Sequence, residues 1–235
     1  GPHLAANSFD VGDPDLRQET GIGLDAFVRV TRPRLRAEIA AFRNQLDDFI
    51  SPSSRGRAIE SQQGRPLFQY TNEDAVFSGA EGEIEVGLAK RVVLEATASY
   101  VRARFTNARS PIPVFTAGET QVDTTFVPAS SYPSLIPPLN GRTELRYETR
   151  RTFVGAGARL AARQERTGDF EAPTDGFAVA HLTAGYRLLR GSRLHVFTLR
   201  VDNLLDTEYR EHLSRIKEIM PEPGRNVSLL YRLTF

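Results

Sequence analysis

Four histidines, His3, His181, His195 and His212, are the residues of this 235-residue chain best suited to hold a metal or move a proton. They fall on different stretches, so a ligand pair could arise only across space. None stands in an H-E-x-x-H motif, and there is no G-x-S-x-G elbow, no phosphate-cradling Gly loop and no EF-hand spacing. Cysteine is absent, which removes thiolate metal sites and disulfide staples together. The other row of chemical interest is Glu81, Glu83 and Glu85, three carboxylates alternating with Gly82 and Ile84. Such a row is either a track for a cationic ligand or a hydrated wall balanced by Arg142, Arg146 and Arg159. The second is what a polar barrel interior requires in any case. No catalytic constellation emerges, so the chain reads as a binding protein and not an enzyme.

The elements that carry these residues read as strands. Ile22, Leu24, Ala26, Val28 and Val30 are apolar, with Asp25 and Arg29 on the alternate positions. Period-two alternation marks a strand whose two faces meet different surroundings. The run 35–50 fits both a strand and a helix and is assigned as a strand from its neighbours. The clearest alternation lies in 67–89, followed by Val92, Leu94, Ala96, Ala98 and Tyr100. Further strands are expected at 142–148, 154–162, 178–188 and 193–203, and a last one runs through Val227, Leu229, Tyr231 and Leu233 to Phe235. Within 193–203 the apolar phase changes between Leu194/Val196 and Phe197/Leu199/Val201, which predicts a bulge.

The connections between these nine strands alternate in length. Arg32–Arg34, Lys90–Arg91, Arg150–Arg151 and Arg190–Ser192 are short; 51–66, 106–140, 165–176 and 204–224 are long. Residues 1–16 also read as loop, and 211–220 is expected to form a short helix with Leu213, Ile216 and Met220 on one side. Short turns at one end and long loops at the other are the wiring of a bacterial outer-membrane barrel. A soluble sandwich has no reason to sort its loops in this way.

Composition is compatible with that wiring. Hydrophobic residues make up 40% and charged residues 25%, and no stretch approaches the ~18 apolar residues of a spanning helix. Barrel strands need only about ten alternating residues. Tryptophan is absent, so Tyr100, Tyr147, Tyr186 and Tyr231 must serve as the interfacial aromatics. A net charge of +1 with no block of like charge gives no footprint for nucleic acid. The first residues carry no signal peptide, which an outer-membrane protein needs, so a preceding part is expected to supply it.

The closing segment carries a family resemblance. Asn203-Leu204-Leu205-Asp206, Tyr209, Pro223-Gly224-Arg225-Asn226 and Phe235 resemble, in order and spacing, the C-terminal signature of TonB-dependent outer-membrane receptors. Gly1-Pro2-His3-Leu4 before Gly12-Asp13-Pro14-Asp15-Leu16, Asn72-Glu73-Asp74-Ala75 before Gly79-Ala80-Glu81, and Pro137-Pro138-Leu139 are similar to other passages of the same receptors. The resemblance implies an all-β, antiparallel transmembrane β-barrel of the 22-strand type, of which residues 1–235 form one partial domain of about nine C-terminal strands, with the plug domain absent. It implies a receptor in the bacterial outer membrane that captures a scarce nutrient, a metal ion or a metal chelate such as a siderophore, on its outer loops. The TonB complex would act through the missing plug, no cofactor is called for, and Phe235 resembles the terminal residue read by the insertion machinery. The opening Gly1–Leu4 and the loop His212-Leu213-Ser214 with Ile216-Lys217-Glu218 are similar to the zinc-type metal-uptake branch, which makes His3 and His212 the metal-ligand candidates. A porin-like or adhesin barrel without energy coupling is the alternative. Nine strands leave two open edges, and unpaired backbone in lipid costs several kcal/mol per group, so further barrel strands are expected to pair with the first and the last.

Overall fold

Every stretch of alternation becomes a strand, and four short strands appear in what the sequence presents as loops. A computed structural model describes residues 2–3, 8–58, 66–117 and 122–235. In chain order the strands are β1 (Pro2–His3), β2 (Ser8–Val11), β3 (Thr20–Arg32), β4 (Leu35–Ala58), β5 (Pro66–Ala89), β6 (Val92–Phe105) and β7 (Ile112–Ala117). They continue with β8 (Val122–Val127), β9 (Asn140–Glu148), β10 (Thr152–Ala161), β11 (Phe177–Arg190), β12 (Arg193–Asp202) and β13 (Asn226–Thr234). One sheet runs β13-β12-β11-β10-β9-β6-β5-β4, and β3 pairs with β4 at its far edge. All pairings among these nine long strands are antiparallel.

Register explains why the two faces differ. Leu35, Val86, Leu94, Leu145, Ala156, Leu182, Val201 and Val227 lie side by side across eight strands. One residue along, the row Arg36, Glu85, Glu95, Glu144, Gly157 and His181 crosses the opposite face. A slip of one residue in any hairpin would exchange these rows, so the apolar face fixes the pairing. That face lies open, with Ile22 82% and Leu229 76% exposed, as a lipid-facing wall requires. The buried apolar residues, Ala75, Ala103, Phe105, Ile112, Val114 and Val179, gather at the long-loop end. There the four that lie on wall strands occupy the polar face, beneath the loops.

Several connections differ from expectation. β4 and β5 are 24 residues each and stay paired as far as Arg57 and Pro66, so the polar connection expected at 51–66 is mostly strand. At ~3.3 Å per residue each would reach about 80 Å, far beyond a hydrocarbon core. The alternation fails there because Ser51, Ser53 and Ser54 are buried by overlying loops and not by a lipid–water boundary. Register shifts between Leu46 and Phe49 and between Ser54 and Gly56 break the pattern further. The 106–140 connection contains the β7–β8 hairpin, whose β7 pairs in parallel with the end of β4. Within 1–16, β2 pairs in parallel with β5. Of these connections, residues 1, 4–7, 59–65 and 118–121 lie outside the described residues.

Two further expectations are corrected. Residues 211–220 form successive turns, with Ser214 N–H donating to the Glu211 carbonyl and Lys217 N–H to that of Ser214, and no helix. Their apolar side chains Leu213, Ile216 and Met220 stay exposed, so no buried face favours a helix. β12 has no bulge: it pairs without a register shift from Leu182↔Val201 to Arg190↔Arg193 and from Leu194↔Thr234 to Asp202↔Asn226. The apparent change of phase arises because Leu194 and Val196 sit on the polar face near the turn, while His195 sits on the apolar one.

Candidate functional site

The long-loop end is held together by two buried ionic nodes. In the first, Arg109 follows β6 and Asp169 lies between β10 and β11, their side chains only 8% and 2% exposed. The pairing is bidentate, Nη1 donating to Oδ1 at 3.1 Å and Nη2 to Oδ2 at 2.9 Å. Asp169 also accepts from the backbone N–H groups of Ser130 (2.7 Å) and Ser54 (3.3 Å). The guanidinium donates to Ser53 Oγ and the Ser130 carbonyl and lies over the Phe105 ring at 4.7 Å. A buried pair of this kind is tolerable only when its remaining donors and acceptors are met, as they are here. It ties the extended β4 to three separate loops.

The second node centres on Glu171. Its carboxylate accepts from the N–H groups of Gly168 (2.8 Å) and Leu135 (3.1 and 3.2 Å) and from Lys217 Nζ at 3.1 Å. His212 Nε2 lies 3.2 Å from Oε1, an ion-pair distance at a poor hydrogen-bond angle. His212 Nδ1 faces the Thr174 hydroxyl at 2.9 Å and Lys217 Nζ at 3.4 Å. An ammonium cannot accept, so Nδ1 is the acceptor towards Lys217 and the ring proton is on Nε2. Burial alone would push the Glu171 pKa up; the contacts with His212, Gly168 N–H and Lys217 outweigh it and hold the pKa at about 2.

Between these nodes lies a cavity of about 200 Å³. Phe68 and Tyr70 of β5 and Pro52 of β4 form one wall, and Leu135 and Phe170 come from overlying loops. Arg215, Lys217 and Glu218 from the last loop close the third side. Leu135 and Phe170 have φ of 59° and 54°, in the left-handed region that branched and aromatic residues seldom adopt. Such strain persists only where surrounding structure imposes it, and it concentrates at binding sites. An aromatic wall facing charges of both signs can hold a small, partly apolar charged ligand.

The signature residues build a locked turn. Asn203 is buried with φ 49°, and its side chain accepts from Thr207 N–H (2.8 Å) and donates to the carbonyls of Thr207 (2.8 Å) and Pro223 (3.3 Å). Leu204 N–H donates to the Ala180 carbonyl, fastening the turn to β11. Asp206, at φ 55°, accepts from Arg225 N–H at 2.7 Å. A Cβ on Gly224 would lie 2.7 Å from that same Asp206 oxygen, so a side chain there would displace the carboxylate that joins the two passages. Tyr209 packs on Phe177 and accepts from Arg159 Nη2 at 2.9 Å. Phe235 stands 86% exposed at the opposite end, with Arg193 over its ring.

Glu81, Glu83 and Glu85 do share one face with Arg142, Arg146 and Arg159. The arginines, however, pair elsewhere: Arg142 with Glu144 (3.3 Å), Arg146 with Glu95 (2.7 Å) and Arg159 with Glu211 (2.6 Å). Glu81 and Glu83 line a separate mid-wall cleft of about 360 Å³ with Arg29, Glu38 and Asn140. His212 sits inside the Glu171 node, and the side chain of His3 lies outside the described residues. Among the described residues no group of three or more His, Asp or Glu side chains is arranged around a metal position. The cavity itself escaped the sequence, since its walls come from β2, β4, β5 and three loops; Ser54 and Asp169, which meet there, are 115 positions apart.

Comparison with known proteins agrees with this architecture. Residues 2–204 match the family described as TonB dependent receptor-like, β-barrel. The copper transporter OprC superposes with a TM-score of 0.71 at 25% identity, over 91% of this chain and 31% of that one. The FrpB iron transporter from Neisseria meningitidis (F3-3 variant) gives 0.66 at 14% identity, over 97% and 32%. The ferric-catecholate import receptor Fiu from E. coli K12 gives 0.59 at 19% identity, over 94% and 28%. The last two share the fold, and the chain spans about a third of the length of each structure. On the family match over most of its residues, this chain belongs to the β-barrel domain family of TonB-dependent receptors.

Proposed function

We propose that this chain supplies wall strands and outer loops to an active-transport receptor of the bacterial outer membrane, which captures a scarce metal ion or metal chelate and passes it inward under TonB control. The observation that carries the reading is the loop-roofed cavity, set at the long-loop end of a wall with one apolar and one polar face. A two-faced wall is suited to lipid on one side and a wet interior on the other. A cavity walled by Phe68, Tyr70, Phe170, Arg215 and Glu218 suits a ligand presented from outside. Copper enters as a cargo through the similarity to a copper transporter, beside zinc and an iron siderophore. The partners are the lipid of the outer membrane, the remaining barrel strands, the plug domain and, through the plug, the TonB complex.

Deleting the gene and following uptake of labelled copper, zinc and ferric siderophore under limitation of each tests the reading. One cargo should fall, and the same loss should appear in a strain without TonB. Uptake that needs this protein but persists without TonB would favour a porin-like barrel. Unchanged uptake of all three would remove the transport reading.

A further inference from the structure

The near-zero net charge of the chain hides a separation from end to end. Residues 31–36, 88–93, 147–153, 188–194 and 231–235 make up the four short turns and the C-terminus. Together they contain ten arginines and lysines and one acid, Glu148; the rest of the chain has 20 basic and 28 acidic residues. Arg32 and Arg34 in the first turn and Lys90 and Arg91 in the second are exposed. So are Arg150 and Arg151 in the third and Arg190 and Arg193 in the fourth. None of these eight forms an ion pair among the described residues, and Glu148 is engaged by Arg187 at 2.8 Å.

Backbone bonds lace the turns into one rim. Gly87 N–H donates to the Arg34 carbonyl, Glu148 N–H to that of Arg91 and Arg187 N–H to that of Arg151. Between the second and third turns lies an open cleft of about 860 Å³, lined by the five basic side chains of Lys90, Arg91, Arg150, Arg151 and Arg187 and by Glu148, the one acid of the rim. A second feature fixes what faces this rim. Tyr147, Tyr186, Phe197 and Tyr231 stand on the apolar face only a few residues from the turns, each between 41% and 49% exposed. Tyr231 stacks on Phe197 at 5.0 Å and its hydroxyl meets His195 Nδ1 at 2.8 Å. Aromatic side chains with one polar end settle at the headgroup level of a bilayer. The basic residues lie just beyond that belt, and in a bilayer this position would bring them to the phosphates, which Arg can bind in a bidentate manner.

We propose that the short-turn rim binds the phosphate headgroups of anionic phospholipids in the inner leaflet of the outer membrane, with the cleft between the second and third turns as its principal site. The inference rests on the membrane reading above and adds a lipid specificity to it. Clustered basic side chains at a bilayer surface favour anionic over zwitterionic headgroups, each contributing additively until screened.

The test uses the full receptor reconstituted into vesicles of equal parts phosphatidylethanolamine and phosphatidylglycerol, then re-extracted in mild detergent, with the retained lipid measured by mass spectrometry. Phosphatidylglycerol should be enriched about five-fold over phosphatidylethanolamine. The variant K90Q/R91Q/R150Q/R151Q should bring the ratio close to that of the bulk, whereas R91K/R150K/R151K should keep most of it. Heat-modifiable mobility reports insertion in each case. Should the quadruple variant not fold, R190Q/R193Q at the fourth turn must still lower the enrichment. A receptor that inserts without enrichment, or a folded quadruple variant that keeps it in full, overturns the lipid site alone. A receptor that does not insert overturns the membrane reading and this inference with it.

Discussion

At the residue scale, the buried ionic nodes decide how the loops sit, and Glu171 makes that testable. Its pKa is held at about 2 in the folded loops, against 4.5 for the free side chain. A depressed carboxylate stabilises fully above its unfolded value and loses that contribution as pH falls through the folded one. The docking of loops 128–139, 162–176 and 203–225 should therefore be unchanged by Glu171 from neutral pH to about 5 and weaken between about 4.5 and 2, by roughly 3 kcal/mol in total. Hydrogen exchange at the Gly168 and Leu135 amides, read against pH, checks this. Glu171→Gln should abolish the acid dependence in that window and loosen the loops already at neutral pH, because Lys217 would stay buried without its counter-charge. Amides as protected in the variant as in the parent at pH 7 would refute the role. Of this node, His212 alone stands out in the sequence, as one of four histidines. Glu171 and Lys217 look like any charged loop residues until folding removes them from water.

At the element scale, the signature turn joins β12 to β13 by contacts that its spacing only hints at. Asn203→Ala removes one acceptor and two donated bonds from a buried site and leaves the Pro223 carbonyl without that donor. Leaving buried polar groups unmet costs about 1–3 kcal/mol each. Lowering the free energy of opening by ~2 kcal/mol corresponds to roughly thirty-fold faster cleavage at Arg215 or Lys217 by trypsin under conditions where opening and closing are fast relative to cleavage. Gly224→Ala should act in the same direction, since its Cβ would displace Asp206 from Arg225 N–H. If both variants resist trypsin as the parent does, the turn is held by something other than Asn203 and Asp206. The long strands β4 and β5 show where element-level reading stops: alternation reports a boundary between two media, and above that boundary Ser51, Ser53 and Ser54 are buried by other loops, so the strand goes on while the pattern does not.

For the molecule as a whole, the wall has two free edges. Among the described residues β13 pairs only with β12, and β3 only with β4. A lipid-facing edge of nine or thirteen residues leaves a row of backbone donors and acceptors without partners, at several kcal/mol each. Residues 1–235 expressed alone should thus fail to give a heat-modifiable, protease-resistant barrel in liposomes, whereas the proposed receptor, with further strands paired at both edges, should give one. A resistant barrel from these residues alone would mean that β3 and β13 close on each other.

By itself the sequence determined the nine wall strands, their hairpin order, the sorting of short turns from long loops, and the signature segment that carries the family resemblance. Each of these follows from local chemistry: alternation from strand geometry, turns from Gly, Pro and charge, and the signature from one glycine and two side chains that must meet their own backbone. Tertiary structure alone decided the two buried nodes, the cavity between them and the pairing of Arg142, Arg146 and Arg159 away from the Glu81 row. Those depend on loops from opposite halves of the chain folding over one end of the wall. Periodicity holds no record of such contacts, because the partner of each residue is set by which strands the sheet has brought alongside.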